Sequence, residues 1–213
     1  MIRKAQAIVI KSFPYGNSSI ISRLILDDGE KISLIVKGAK NIKNNLSIIF
    51  QSMNVINISY YFKESRDIQI HKESELINNF KNIKKNFNSL KYALCIVDII
   101  DKATPKNYND VNMYNITLQS LKKIDSKENY KIIFILFLIA FSHHNGYSTS
   151  CLNDYPHENV LKLLRYEEDK IEIKRFQSLF TSLDVNETIR VILMEIKNNI
   201  NEITKVKSLK FIN

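Results

Sequence analysis

The spacing of apolar residues changes once along this chain, and that change constrains the fold more than any other feature. Up to about Glu73 they recur at every second position in short runs, and beyond it at every third or fourth. A period of two buries one face of a strand, whereas a period near 3.6 buries one stripe of a helix. The expected fold class is therefore α+β, a strand-rich region followed by an all-helical one. At 213 residues and 45% hydrophobic content, the chain can fill the cores that such an arrangement needs.

Five strands are readable. The first, Ala5 to Ile10, ends where Phe13-Pro14-Tyr15-Gly16-Asn17 breaks the pattern, and the second runs from Ser19 to Leu26. Asp27-Asp28-Gly29-Glu30 has tight-hairpin chemistry, because Asp and Gly tolerate positive φ. It leads into a third strand, Lys31 to Val36, with Ile32, Leu34 and Val36 on one face and Ser33 and Ile35 on the other. Val55 to Phe62 is the fourth, and Glu64-Ser65-Arg66-Asp67 turns it into a fifth, Ile68 to His71. Short strands, tight turns and one longer excursion after the third strand point to a small five-stranded closed barrel.

Beyond Glu73, Leu76, Ile77, Phe80, Ile83 and Phe87 follow helical spacing, as do Leu90, Leu94, Val97, Ile99 and Ile100, until Thr104-Pro105 stops the helix. Further helices are expected over Val111 to Ile124, Lys127 to His144, Phe176 to Leu183 and Asn186 to Ile203. Tyr147 to Lys174 is the least regular stretch, with Ile171 to Ile173 a brief strand. The division falls near residue 78, giving expected domains of residues 1–78 and 79–213. The most apolar run, Ile132 to Phe141, is half the roughly 20 residues that a membrane-spanning helix needs, so it reads as a buried core helix.

A formal net charge of +9 and a pI near 9.4 favour an anionic partner. Lysine bias from an AT-rich genome gives the same balance, since Lys outnumbers Arg 25 to 6 and Ile and Asn abound. Placement is therefore more informative than the total. Asp and Glu are absent from Lys31 to Lys63 and again from Asn78 to Val97. Within the first window the turn Lys37-Gly38-Ala39-Lys40, with Lys43 behind it, offers cations where Gly lets the backbone turn sharply and approach another group.

A nucleic-acid surface needs cations that track phosphates and flat side chains on which bases stack. Lys37, Lys40 and Lys43 are the primary candidates, and Arg3, Lys4 and Arg23 join them if the strands place them on the same face. Tyr60, Tyr61 and Phe62 are candidate platforms. Alternation sends Tyr60 and Phe62 one way and Tyr61 the other, so one of the two sets belongs to the core. In the second window Lys81, Lys84 and Lys85 share a helix face, either simply solvated or an extension of the positive track, and Lys91 follows them.

Other chemistry finds little support. Cys95 and Cys151 build neither a disulfide framework nor a four-thiolate zinc site, which fits a reducing cytoplasm. The apolar part of the opening MIRKAQAIVIKSF is too short for a signal peptide. Adjacent His143 and His144 diverge by roughly 100° on a helix and suit its C-terminal turn better than a shared metal. Cys151, Asp154 and His157 lack an activating motif, and no glycine-rich phosphate loop is present. No catalysis, cofactor or metal is expected.

The order of these features resembles the RecO family of bacterial recombination and repair mediators. The resemblance rests on Ala7-Ile8-Val9-Ile10, then Tyr15-Gly16-Asn17-Ser18-Ser19-Ile20, Gly29, Lys37-Gly38-Ala39-Lys40, the segment IHKESEL from Ile70 to Leu76, and the closing Lys207-Ser208-Leu209-Lys210-Phe211-Ile212. It implies an N-terminal OB-fold (oligonucleotide-binding) barrel, a helical C-terminal domain, and no enzymatic activity. It further implies binding of single- and double-stranded DNA, annealing of complementary strands, and association with RecR. Docking on the acidic tail of the single-stranded-DNA-binding protein, help to RecA, and a cytoplasmic, nucleoid-associated location in a bacterium also follow from it. Two departures stand out: Asn17 replaces a usual acidic residue, and the four-cysteine zinc module of many members is missing. The alternative is a scaffold for RecR and that tail with little DNA affinity of its own.

Overall fold

The computed structural model describes residues 1–104, 109–127, 129–147 and 185–212. Two compact units divide the chain: Met1–Phe80 with Thr104–Asn115, and Lys81–Ala103 with Ile116–Asn213.

In the first unit, β1 (Ile2–Tyr15), β2 (Ser19–Leu26), β3 (Lys31–Val36), β4 (Val55–Tyr61) and β5 (Ile68–Asn78) close a barrel in the order β1-β2-β3-β5-β4. All pairs are antiparallel except β3 with β5. Alternation supplies the interior: Ala7, Val9, Leu24, Leu34, Ile56 and Tyr60 belong to one buried cluster. The excursion after β3 holds a 3₁₀ turn, Ile42–Asn44, and the short helix α1, Leu46–Ile49. Asn54, wholly buried, fastens this excursion by donating its amide to the Ile48 and Ile49 carbonyls at 2.8 and 2.9 Å.

Two strands are longer than the sequence suggests. The chain does not enter a helix after Glu73, since β5 runs on to Asn78, pairing Ser74 with Ile58 and Leu76 with Ile56. Leu76 and Phe80 are four apart, a spacing that a strand followed by a turn satisfies as well as a helix does. Likewise β1 runs through Pro14 to Tyr15. Beyond Val9, whose N–H and C=O still bond to Asn54 and Met53, it pairs with β2 alone, and an edge tolerates a residue without an N–H.

The turn between β2 and β3 is set by Gly29, at φ +86°. Gly29 is also buried, and a Cβ there would lie 2.2 Å from the Asp110 carbonyl carbon. Only a residue without a side chain lets the returning segment 104–115 approach so closely. Lys31 Nζ donates to the Thr104 carbonyl at 2.5 Å and Tyr114 Oη to Gln6 Oε1 at 2.9 Å, fixing both ends of that segment to the barrel.

The second unit contains α2 (Lys81–Lys85), α3 (Phe87–Ala103), most of α4 (Val111–Asp125), α5 (Tyr130–His144) and α6 (Val185–Asn199), then 3₁₀ turns at Asn201–Lys205 and Lys207–Phe211. Ile132 to Ser142 of α5 are all buried, so it is the core helix its apolar run implied. It starts at Tyr130, three residues later than expected, because Asn129 caps it by accepting from the Lys131 and Ile132 N–H groups. The helix read as Asn186 to Ile203 likewise stops at Asn199. The regions expected as Phe176 to Leu183 and Ile171 to Ile173, together with Cys151, Asp154 and His157, lie outside the described residues.

Candidate nucleic-acid interface

The lysine turn after β3 is held in place by the one apolar residue inside it. Ala39 is completely buried in the barrel core, so Lys37 and Lys40 on either side of it are turned to solvent. Gly38 takes φ +68° to make the bend. Lys40 then binds the β1–β2 turn twice, its backbone N–H donating to the Ser18 carbonyl at 2.9 Å and its ammonium to the Gly16 carbonyl at 2.7 Å. Asn41 accepts the Lys43 N–H at 3.1 Å and shapes the next turn. The two turns form a single rim.

The three lysines on this rim are therefore not equivalent. Lys40 is committed to a carbonyl, which makes it a brace of the rim as well as a cation. Lys37 and Lys43 are exposed, and their ammonium groups make no ion pair or hydrogen bond among the described residues. Tyr15, which is not among the expected stacking platforms, stands on the same rim at the end of β1 with 53% of its surface exposed. Its position just before a Gly turn was the available signal.

The remaining barrel cations are placed differently. Arg3 lies over the Phe62 ring, 3.4 Å from its centroid, and 3.7 Å from the Glu30 carboxylate. Burial and Asp28 raise the Glu30 pKa against the opposing effect of Arg3. Lys4 lines a groove with Asp27, Glu73 and Glu75, an acidic setting. Arg23 lies over Phe13 at 5.5 Å and directly across the β1–β2 ladder from Lys11. Lys11 escaped notice because simple alternation from Val9 sends it inward. A bulge between Val9 and Lys11 reverses that and sets it opposite Arg23.

Of the aromatic candidates, Tyr60 is buried in the barrel core, 1% exposed, and its pKa is raised chiefly by that burial. Phe62 packs against the same core, whereas Tyr61 is 43% exposed. Tyr61 pairs with Ile2 on one side and Ile70 on the other, and Ile70 pairs with Ile35, making an apolar row across four strands. In the helical unit Lys81 and Lys85 are exposed, but Lys84 is drawn in far enough that burial lowers its pKa. At the end of α5 the Asn145 amide donates to the Phe141 carbonyl, and the N–H groups of Gly146 and Tyr147 go to the carbonyls of His143 and Ser142. Among the described residues no three His, Cys, Asp or Glu side chains cluster as a metal site, and no helix is long and apolar enough to cross a membrane.

A closed five-stranded barrel in this strand order, with a short helix between β3 and β4, places the first unit in the OB-fold class. Residues 1–80 match the family described as "Recombination protein O N terminal" and residues 84–152 match "Recombination protein O C terminal". The chain belongs to the RecO family. It is similar to the "DNA repair protein RecO" of Pelodictyon phaeoclathratiforme, 26% identical over 151 residues that make up 70% of this chain and 58% of that protein. The protein of the same name from Listeria monocytogenes is 27% identical over 136 residues, 64% of this chain and 52% of the relative. The chain thus spans a little over half the length of these relatives.

Proposed function

We propose that this chain is a DNA-repair protein that binds single- and double-stranded DNA at the barrel rim without reading sequence, and acts as an adaptor rather than an enzyme. Annealing follows from the physics, because a cationic surface lowers the repulsion between two strands held on it. Association with RecR, docking on the acidic tail of the single-stranded-DNA-binding protein and help to RecA complete the role. One observation carries this reading: Lys37 and Lys43 are exposed on an acid-free turn bonded to the turn that presents Tyr15.

The test is fluorescence anisotropy of a labelled single-stranded oligonucleotide across a salt series, comparing parent with Lys37→Glu/Lys43→Glu. Lys40→Glu is measured separately, because it also removes the brace on Gly16. Parent binding that weakens steeply with salt and is lost in the double variant supports the reading. Equal binding by the two proteins sinks it.

A scaffold with little DNA affinity is the second reading, favoured by exposed Ile2 and Tyr61, which continue into half-buried Ile70 as one apolar row. In that case Tyr61→Ser disrupts RecR capture without DNA present, and the lysine variant leaves it intact.

A further inference from the structure

The helical unit contains a cavity of about 940 Å³ whose lining is cationic. Lys85 at the end of α2, Lys127 after α4 and Lys131 in the first turn of α5 converge on it from three segments. No Asp or Glu lines it among the described residues. Polar side chains share the rest of the wall with Ile124 and Val185. Asn86 and Asn129 use their Oδ1 atoms to accept backbone N–H groups at the starts of α3 and α5, which leaves the Nδ2 amide of each as a donor. Tyr130 adds a phenol and a ring. Lys131 is steadied by donating to Asn186 Oδ1 at 2.9 Å, and its ammonium keeps further protons to donate.

We infer that this cavity binds a phosphomonoester dianion, carried by a nucleotide-sized molecule or by the phosphorylated end of a strand. Three lysines and, among the described residues, no carboxylate leave an excess of positive charge that a dianion offsets better than a monoanion. Lysine ammonium groups act as point charges that can surround a tetrahedral group. The volume lies in the range of small-ligand sites. This inference does not depend on DNA binding at the barrel rim.

Isothermal titration of the full chain with inorganic phosphate, deoxyadenosine 5′-monophosphate and deoxyadenosine tests it. Saturable binding of the phosphorylated probes, at least about tenfold tighter than the nucleoside, is expected. Lys127→Gln/Lys131→Gln should lose that preference while its circular dichroism stays native, and Lys37→Glu/Lys43→Glu should keep it. Oligonucleotides with a 5′-phosphate or a 5′-hydroxyl then separate the sources. Preference for the phosphorylated end assigns the site to strand termini, and equal binding of the two assigns it to free nucleotides. Failure of every phosphate probe to bind the parent overturns the proposal, as does unchanged binding by the lysine variant. So does selective binding of an acidic peptide in place of phosphate.

Discussion

His71 presents its ring edge-on to Phe50, with centroids 5.2 Å apart, on the side of β5 that meets the barrel core. Burial lowers its pKa from 6.5, outweighing the opposing influence of Glu73. Because the folded value lies below the unfolded one, the unfolded chain takes up more protons between the two, so stability falls as pH drops below 6.5 toward the folded value. Urea midpoints at about pH 7.5 and 5.5 should separate more for the parent than for His71→Phe, and an unchanged separation would remove His71 as the cause. Gly29 is the other residue on which local structure turns. With φ at +86° and Asp110 backbone where a Cβ would go, Gly29→Ala should cost about 2 kcal/mol or more. Faster hydrogen exchange at Tyr114 would show that the returning segment has been displaced. Neither effect was legible in the sequence, where Gly29 read only as a hairpin residue, since its neighbour in space is 81 positions away.

Elements were legible where one local pattern had one physical meaning. β2 and β3 match their expected limits because turn residues bound them on both sides. β5 was cut short because its second half alternates between exposed and half-buried positions without an apolar pattern to show it: Leu76 turns inward, but its apolar neighbour Ile77 is 47% exposed and the positions before them are Glu73, Ser74 and Glu75. α5 shows a third case. Its buried run was unmistakable, yet apolar residues do not mark a helix start, and the N-cap does. Asn129→Ala should therefore lower stability by about 1 kcal/mol, read from the urea midpoint, and Asn129→Asp should retain most of it. An Ala variant as stable as the parent would mean that burial alone sets the start of α5. The rim lysines were visible as an acid-free window, whereas the brace from Lys40 to Gly16, the exposure of Tyr15 and the bulge that sets Lys11 opposite Arg23 all depend on register.

The net charge of +9 describes the whole molecule poorly, because the barrel surface is polarised. One rim carries Lys37 and Lys43, while the groove beside Lys4 carries Asp27, Glu73 and Glu75. On the proposed function a polyanion is attracted to the rim and repelled from the groove, and salt should affect the two contributions differently. Direct phosphate contacts release counterions and set the slope of log affinity against log salt, at roughly 0.7 per contact for a single strand. Groove repulsion acts through solvent and fades as the screening length falls from about 10 Å at 0.1 M to about 3 Å at 1 M. Lys37→Glu/Lys43→Glu should therefore flatten the slope by at least about 1.4 and weaken binding throughout the series. Glu73→Gln/Glu75→Gln should strengthen binding at low salt by less than about tenfold and converge on the parent at high salt. If the groove variant instead weakens binding, the strand runs through the groove, with Lys4 and its neighbours as the contacts. The rim would then be only a solvated turn.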